Sequence, residues 1–274
     1  MRTCLVGSEM CIRDRVNLDW PMRKQNREKI WVRIAGDPVR DKDEVLWTVV
    51  DITERVKAKE KIDQLASKLS RYLSPQVYQS IFSGKKNVKI EAYRKKLTVF
   101  FSDIKGFTEI TDRLEPEVLS TLLNSYLNEM SKIALKYGGT IDKFVGDAIL
   151  IFFGDPETKG DKEDAYSCVL MALEMKERMH HLKKLWEGQG ITNPLEIRIG
   201  INTGYCNVGN FGSENRLDYT IVGGEVNLAS RLESNAMAGQ ILISKETHAL
   251  IKKHIVCEKK DEIKVKGIAH KIQT

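Results

Sequence analysis

The strongest constraint on the fold is an alternation of apolar strands and long amphipathic helices that begins after Lys96. The apolar run at 97–104 is typical of a buried strand, and residues 115–137 repeat apolar side chains along one helical face. Further elements follow in order: a hairpin of TIDKF and AILIFF around VGD, a helix at about 161–187, strands at 195–204 and 217–222, and a helix after Gly223-Gly224. This order predicts an α/β (α+β) fold with a ferredoxin-like split βαβ core.

The N-terminal segment has a different pattern. Residues 1–15 lack a clear period and resemble translated adapter sequence, so we expect a non-native leader there. Two β-rich runs at 30–36 and 45–52, separated by a turn-like stretch, predict a hairpin. With the DITE that follows, residues 16–55 resemble the C-terminal part of a PAS sensor domain, and an unrelated β-hairpin is the alternative.

Residues 56–96 are interpreted as a helical signalling linker. Apolar side chains spaced 4, 3, 4 and 3 residues apart predict either the seam of a two-stranded coiled coil or one amphipathic helix packed on its own domain. These are Ala58, Ile62, Leu65, Leu69 and Tyr72. A short helix is expected from Pro75 to Phe82, ended by Ser83-Gly84.

Charge and composition exclude several classes of protein. The formal charge of +6 is concentrated in residues 55–96, which hold 12 Lys and Arg against 3 Asp and Glu, whereas residues 97–274 hold 22 against 25. This distribution indicates solvated linker helices and predicts no nucleic-acid partner. No apolar run approaches the roughly 20 residues of a membrane span, so no membrane contact is expected from this fragment. The 5 scattered cysteines favour a reducing, cytoplasmic setting, with any membrane anchor of the parent protein lying upstream.

Two aspartates end neighbouring elements of the predicted sheet. Asp103 closes the strand at 97–104, and Asp147 lies in the turn after TIDKF. In a right-handed crossover the first and second strands run parallel, so both aspartates reach the same edge. Paired carboxylates repel, and divalent cations with substrate phosphates would relieve that repulsion. Taken singly, each aspartate is equally consistent with an ordinary turn.

The loop after Asp103 fits a phosphate site. Gly106 lets the backbone approach a ligand closely, and the amides from Lys105 through Gly106 and Phe107 to Thr108 lead toward a helix N-terminus. Alone, this loop is also a common strand-to-helix turn. Combined with the two aspartates, it favours a metal and nucleotide site.

Four segments in unbroken order carry a family resemblance. They are FFSDIKGFTEI, GGTIDKFVGDAILIFFG, LEIRIGINTGYCNVGNFGS and LDYTIVGGEVNLASRLE. Together they resemble the class III adenylate/guanylate cyclase catalytic domain, over residues 97–274. The preceding RYLSPQVYQSIFSGK is similar to the transducing helix of bacterial members. The resemblance implies the nucleotide cyclase fold, a nucleoside triphosphate substrate and control by an upstream sensor domain.

The resemblance also implies metal ligands and a reaction. Asp103 and Asp147, with the Ile104 carbonyl, would hold two Mg²⁺ or Mn²⁺ ions per active site. The ribose 3′-hydroxyl of ATP would then attack the α-phosphate, giving 3′,5′-cyclic AMP and pyrophosphate.

Two further residue pairs follow from the same resemblance. Lys143 and Thr220 would read the base, and Lys143 predicts ATP because lysine can donate to N1 of adenine. A hydroxyl both donates and accepts, so Thr220 alone does not exclude GTP. Asn227 and Arg231, four apart on one helix face, would orient the ribose and stabilise charge on the α-phosphate. In related cyclases this pair comes from the partner subunit, which implies a homodimer with shared active sites.

Three points leave alternatives open. Gly224 stands where many members have aspartate, which puts the helix start or the pocket in question. A guanylate cyclase with the same mechanism and a catalytically inactive nucleotide-binding or dimerisation module are the competing functions. The ending IKVKGIAHKIQT suggests a C-terminus truncated within a strand that family members continue.

Overall fold

The computed structural model describes residues 16–38, 45–82, 89–112, 114–188, 195–260, 262–263 and 272–274. The predicted leader at 1–15, the helix stop at Ser83-Gly84 and most of the C-terminal ending lie outside these ranges. The chain divides into two compact units, Met1–Tyr72 and Leu73–Thr274, and the division falls within the predicted linker. Among the described residues, no helix combines the length and apolarity needed to cross a membrane.

The first unit is a small antiparallel sheet followed by a helix. Strands β1 (Val16–Arg23), β2 (Lys29–Pro38) and β3 (Val45–Asp51) pair in that order. The predicted hairpin is confirmed as β2 and β3, and β1 is an additional strand that the sequence pattern did not predict. Apolar side chains of this sheet remain exposed, among them Trp20 and Trp47.

Helix α1 (Thr53–Leu69) begins directly after the sheet and is followed by a 3-10 turn at Ser70–Tyr72. Thr53 fixes the junction, because its hydroxyl accepts a hydrogen bond from the Trp31 amide at 2.9 Å. Because Tyr72 lies in the 3-10 turn and outside the α-helix, the predicted seam does not extend to this residue. The seam side chains from Ala58 to Leu69 are all exposed, so the helix does not bury this face on its own unit.

The second unit holds the α/β fold. Its elements are α2 (Pro75–Phe82), β4 (Glu91–Ile104), α3 (Phe107–Thr111), α4 (Pro116–Tyr137), β5 (Thr140–Val145), β6 (Ala148–Phe153), α5 (Asp161–Glu187), β7 (Ile197–Ser213), β8 (Arg216–Val222), α6 (Gly224–Asn235), β9 (Ile241–Ile243) and α7 (Lys245–Ile251). The strand order is β5-β6-β4-β7-β8, with β9 parallel to β7 and the other pairs antiparallel. The predicted mixed fold with its split βαβ core is confirmed.

The central strand β4 explains the long apolar run in the sequence, because both of its faces are buried. Phe100 and Ile104 join the larger core cluster that includes Tyr126 of α4. Leu97 and Val99 point to the other face and pack in a second cluster with Ala229 of α6. Successive side chains of a strand alternate between faces, so a strand covered by helices on both sides is apolar throughout.

Helix α6 lies unusually close to β7 at Gly200. A Cβ placed on Gly200 would lie 2.2 Å from the Glu233 amide nitrogen and 2.3 Å from the Ala229 carbonyl oxygen. Glycine is therefore required at this position for a steric reason. This contact sets the position of α6, the helix that carries Asn227 and Arg231.

Candidate active site

The two predicted aspartates meet at one edge of the sheet. Strands β4 and β5 run in the same direction on either side of β6, so the end of β4 and the β5–β6 turn are adjacent. The amide of Ile104 donates to Oδ2 of Asp147 at 2.9 Å. Burial and the neighbouring Asp103 carboxyl together raise the pKa of Asp147 to about 6. The structure thus brings Asp103 and Asp147 into direct interaction, as the topology predicted.

The donor set at this edge suits a hard divalent cation whose coordination is completed by oxygen atoms of a bound ligand. Mg²⁺ and Mn²⁺ prefer oxygen donors, and Mg²⁺ commonly takes one or two carboxylates together with substrate phosphates. Across the described residues, no group of three or more His, Cys, Asp or Glu side chains could hold a metal ion by itself. Asp103, Asp147 and the Ile104 carbonyl therefore form a partial site that fits such ions only with further oxygen donors.

A half-buried arginine, Arg198, which the sequence reasoning missed, connects this edge to α6. Nη2 of Arg198, on β7, lies 2.8 Å from Oδ2 of Asp103, and its Nε lies 2.5 Å from Oε1 of Glu233. Burial raises the pKa of Glu233, and the Arg198 charge opposes that shift. The arginine thus ties a predicted metal ligand to the helix of Asn227 and Arg231.

The loop after Asp103 leads into a helix as predicted, but one of the expected amides already has a partner within the protein. Gly106 has φ of 71° and precedes α3, a conformation that glycine adopts without strain. The Lys105 amide donates to the Glu196 carbonyl at 2.9 Å, so this amide is already committed within the protein. Lys105, Gly106 and Thr108 are exposed, whereas Phe107 packs against the core.

Lys143 and Thr220 are brought together by a third residue, Asp142. Oδ2 of Asp142 accepts from the Thr220 hydroxyl at 2.6 Å and from the Ile221 amide at 3.2 Å. Nζ of Lys143 lies 3.3 Å from Oδ1 of the same carboxyl group. The Asp142 side chain is 1% exposed, and burial raises its pKa. The sequence reasoning did not single out Asp142.

Asn227 and Arg231 form a separate pair on the outer face of α6. Both side chains are exposed, and their spacing of four residues places them on one face as predicted. The opposite face of α6 packs on the sheet through Leu228, Ala229 and Leu232. Helix α6 begins at Gly224, and no side chain caps its N-terminus.

Comparison with known proteins places this geometry in a family. Residues 88–274 match the model of the adenylate and guanylate cyclase catalytic domain. The chain belongs to this cyclase family. The match covers the whole six-stranded sheet, both aspartates and the helix of Asn227 and Arg231.

Relatives of this cyclase domain include enzymes named for each nucleotide. The chain is 34% identical over 217 residues to the terminal-differentiation specific adenylate cyclase of Dictyostelium discoideum, covering 77% of this chain and 10% of that protein. It shares 64% identity and a TM-score of 0.66 with the adenylyl cyclase CyaB from P. aeruginosa, covering 67% of this chain and 94% of that structure. It shares 36% identity and a TM-score of 0.64 with the guanylyl cyclase Cya2, covering 67% of this chain and 92% of that structure.

The curated relatives are much longer than this chain. The cyclase domain and its N-terminal unit span 10%, 29% and 21% of the lengths of the first three relatives, all named as adenylate cyclases. The match therefore identifies a catalytic domain shared among larger proteins.

Proposed function

We propose that this cyclase domain converts ATP to 3′,5′-cyclic AMP and pyrophosphate as a homodimer under the control of an upstream sensor domain. The observation that carries the proposal is the arrangement of Lys143 and Thr220 around Asp142. It presents an ammonium group from β5 and a hydroxyl from β8 on one carboxyl group, and β5 also leads into the turn that bears Asp147. The 64% identity to an adenylyl cyclase structure supports the same substrate.

The metal ions and the triphosphate would bind at the edge of the sheet that bears the two aspartates. Asp103, Asp147 and the Ile104 carbonyl would hold two divalent cations, Mg²⁺ or Mn²⁺. When bound, these ions would supply activation of the ribose 3′-hydroxyl and neutralisation of the triphosphate. The exposed loop of Lys105, Gly106 and Thr108 lies directly after Asp103, where it can contact phosphate oxygens.

The base would be recognised by Lys143 and Thr220. The Lys143 ammonium can donate to N1 of adenine, and the Thr220 hydroxyl can accept from the 6-amino group. Lysine at this position argues against guanine, whose N1 is itself a donor. The main alternative is GTP as substrate, which the 36% identity to a guanylyl cyclase structure keeps open.

Asn227 and Arg231 would act from the partner subunit. Both are exposed on α6 within the single chain, where a second copy can bring them against a bound nucleotide. Arginine offers a planar, permanently charged group suited to the charge that develops on the α-phosphate. Two identical chains would then form two composite sites.

The reaction is tested with purified protein incubated with ATP or GTP and either Mg²⁺ or Mn²⁺, with products identified by mass spectrometry. We expect cyclic AMP from ATP and none from the Asp103→Ala variant. Cyclic GMP as the only product would refute the base assignment. A folded protein that forms no cyclic nucleotide under any combination would instead be a binding or dimerisation module.

Sharing of the site between subunits has its own test. Mixing inactive Asp103→Ala with inactive Arg231→Ala should restore activity, because one of the two sites in each heterodimer is intact. The matched control mixes Asp103→Ala with Asp147→Ala, where every site keeps one defect. If both mixtures are inactive although heterodimers are shown to form, catalysis across the subunit boundary is refuted.

A further inference from the structure

Asp142 joins two strands that the sheet order places far apart. Strands β5 and β8 lie at opposite ends of the order β5-β6-β4-β7-β8, yet Asp142 of β5 hydrogen-bonds Thr220 and Ile221 of β8. The pairing of β5 with β6 shifts register between Ile141 and Lys143, which marks Asp142 as the extra residue of a β-bulge. Bulges redirect side chains next to functional sites. This one turns a carboxyl group toward the proposed base-reading hydroxyl.

The hydrogen bonds at Asp142 fix the direction of the Thr220 hydroxyl. Oδ2 of the carboxyl group accepts from the Ile221 amide as well as from Thr220, and the Lys143 ammonium lies 3.3 Å from Oδ1. The Thr220 hydroxyl donates to Oδ2 in their 2.6 Å contact, which is the direction that an ionised carboxylate requires because it only accepts hydrogen bonds. A hydroxyl has one proton and two lone pairs. With its proton directed at Asp142, Thr220 can offer a ligand only an acceptor.

This direction distinguishes the two purine bases. Adenine presents a 6-amino donor, which matches an acceptor at Thr220, whereas guanine presents an O6 acceptor, which would face a lone pair. To donate to O6, Thr220 would have to break a buried hydrogen bond to a charged group, which is stronger than a neutral one. A site whose polar groups match one ligand rejects an analogue that leaves them unpaired.

We infer that Asp142 is a positioning residue for nucleotide specificity, holding the Thr220 hydroxyl as an acceptor so that the site selects adenine over guanine. This inference rests on the proposed ATP cyclase function. The rival explanation is purely structural, since Asp142 also links two strands. Asp155, which follows β6, links the same region independently by accepting from the hydroxyl of Tyr219 of β8. Loss of the Asp142 link therefore leaves another connection to β8 in place.

The test measures kcat/KM for ATP and for GTP in the wild-type chain and in D142A, D142N, T220V and the D142A/T220V double variant. We expect D142A to lower the ATP-to-GTP ratio by about tenfold, the factor that corresponds to one modest hydrogen bond. D142N keeps an oxygen that can accept from Thr220 and should hold the ratio within about threefold of wild type. Adding D142A to T220V should leave the ratio unchanged, because the hydroxyl is already absent.

The outcomes separate the two hypotheses. A structural role alone would lower kcat/KM for both nucleotides equally, and an unchanged ratio in D142A would overturn the inference while leaving the proposed ATP reaction intact. A wild-type chain that prefers GTP or makes no cyclic product would overturn the proposed function itself. Should D142A fail to fold, Asp142→Leu fills a similar volume and has no side-chain group that can accept from Thr220. A folded Asp142→Leu with the wild-type ratio would equally overturn the role of Asp142.

Discussion

The contact of Gly200 with α6 offers the sharpest test of how the fold sets the site. In Gly200→Ala the new Cβ would lie 2.2 Å from the Glu233 nitrogen and 2.3 Å from the Ala229 oxygen. Non-bonded heavy atoms are comfortable at about 3.5 Å, so α6 must retreat from β7 by roughly 1 Å. Both blocking atoms belong to the helix backbone, so no side-chain rotation can relieve the clash.

Gly200→Ala is expected to lower both the stability of the fold and the activity of the site. Overpacking of this kind destabilises by about 1–3 kcal/mol. In a domain of this size each kcal/mol shifts Tm by about 2–4 °C, so Gly200→Ala should melt roughly 2–12 °C lower. Because Asn227 and Arg231 are carried on α6, a 1 Å displacement should also lower the proposed cyclic AMP formation by about 100-fold.

The assay pairs thermal unfolding, followed by circular dichroism, with product formation. Gly188→Ala is the matched control, because Gly188 has right-handed helical backbone angles and its added Cβ would come no closer than 3.4 Å to another atom. We expect the control to retain both Tm and activity. A Gly200→Ala protein with wild-type Tm and activity would show that the contact between β7 and α6 does not constrain the site.

Three further predictions concern charge and assembly. Burial raises the pKa of Asp142, so ionising it opposes folding. The unfolding free energy of Asp142→Asn minus that of wild type should therefore increase in urea titrations as pH rises above about 4, the ordinary pKa of aspartate, and a flat difference would contradict this. Arg198→Met leaves Glu233 buried without its cation and should lower the unfolding free energy by about 2 kcal/mol, whereas an unchanged urea midpoint would mean that the pair contributes nothing. Ile62 and Leu65 are 63% and 52% exposed on α1. If α1 forms the predicted coiled coil, charged substitutions at these two positions should lower the dimer fraction measured by sedimentation velocity. An unchanged dimer fraction would show that the interface lies elsewhere.

The buried elements could be predicted from the sequence almost to the residue. Helix α4 was expected at 115–137 and runs over Pro116–Tyr137, and α5 was expected at about 161–187 and runs over Asp161–Glu187. Strand β6 was expected at AILIFF and occupies those same six residues. Their apolar periods reflect burial on one face or on both, which is the property that a sequence records most directly.

Exposed pairing could not be predicted in the same way. Strand β4 starts at Glu91 rather than Leu97, because its charged first residues pair with β7 while remaining largely exposed. The glycine-rich second half of β7 continues to Ser213 between β4 and β8, although its composition favours a loop. Backbone pairing of these segments depends on partners distant in sequence, and no hydrophobic period marks it.

Contacts between residues distant in sequence were also the part of the candidate site that could not be predicted. The meeting of Asp103 and Asp147 followed from topology, because strand direction alone decides which sheet edge they share. Arg198, Glu233 and Asp142 were missed because each is defined by a partner that lies far away in the chain. One local signal existed for Arg198: it lies between Ile197 and Ile199 in an apolar strand, where a charged residue needs a partner.

Helix α6 connects the two halves of the proposed chemistry. Its buried face holds Glu233, which binds Arg198, and Arg198 in turn binds Asp103. Its exposed face presents Asn227 and Arg231, the pair proposed to act on the nucleotide of the partner subunit. A change in how α6 sits on β7 would therefore alter both the proposed metal-ligand edge of one site and the pair proposed to face the partner at the other site. In the proposed homodimer, this arrangement would couple the two composite sites through one helix in each chain.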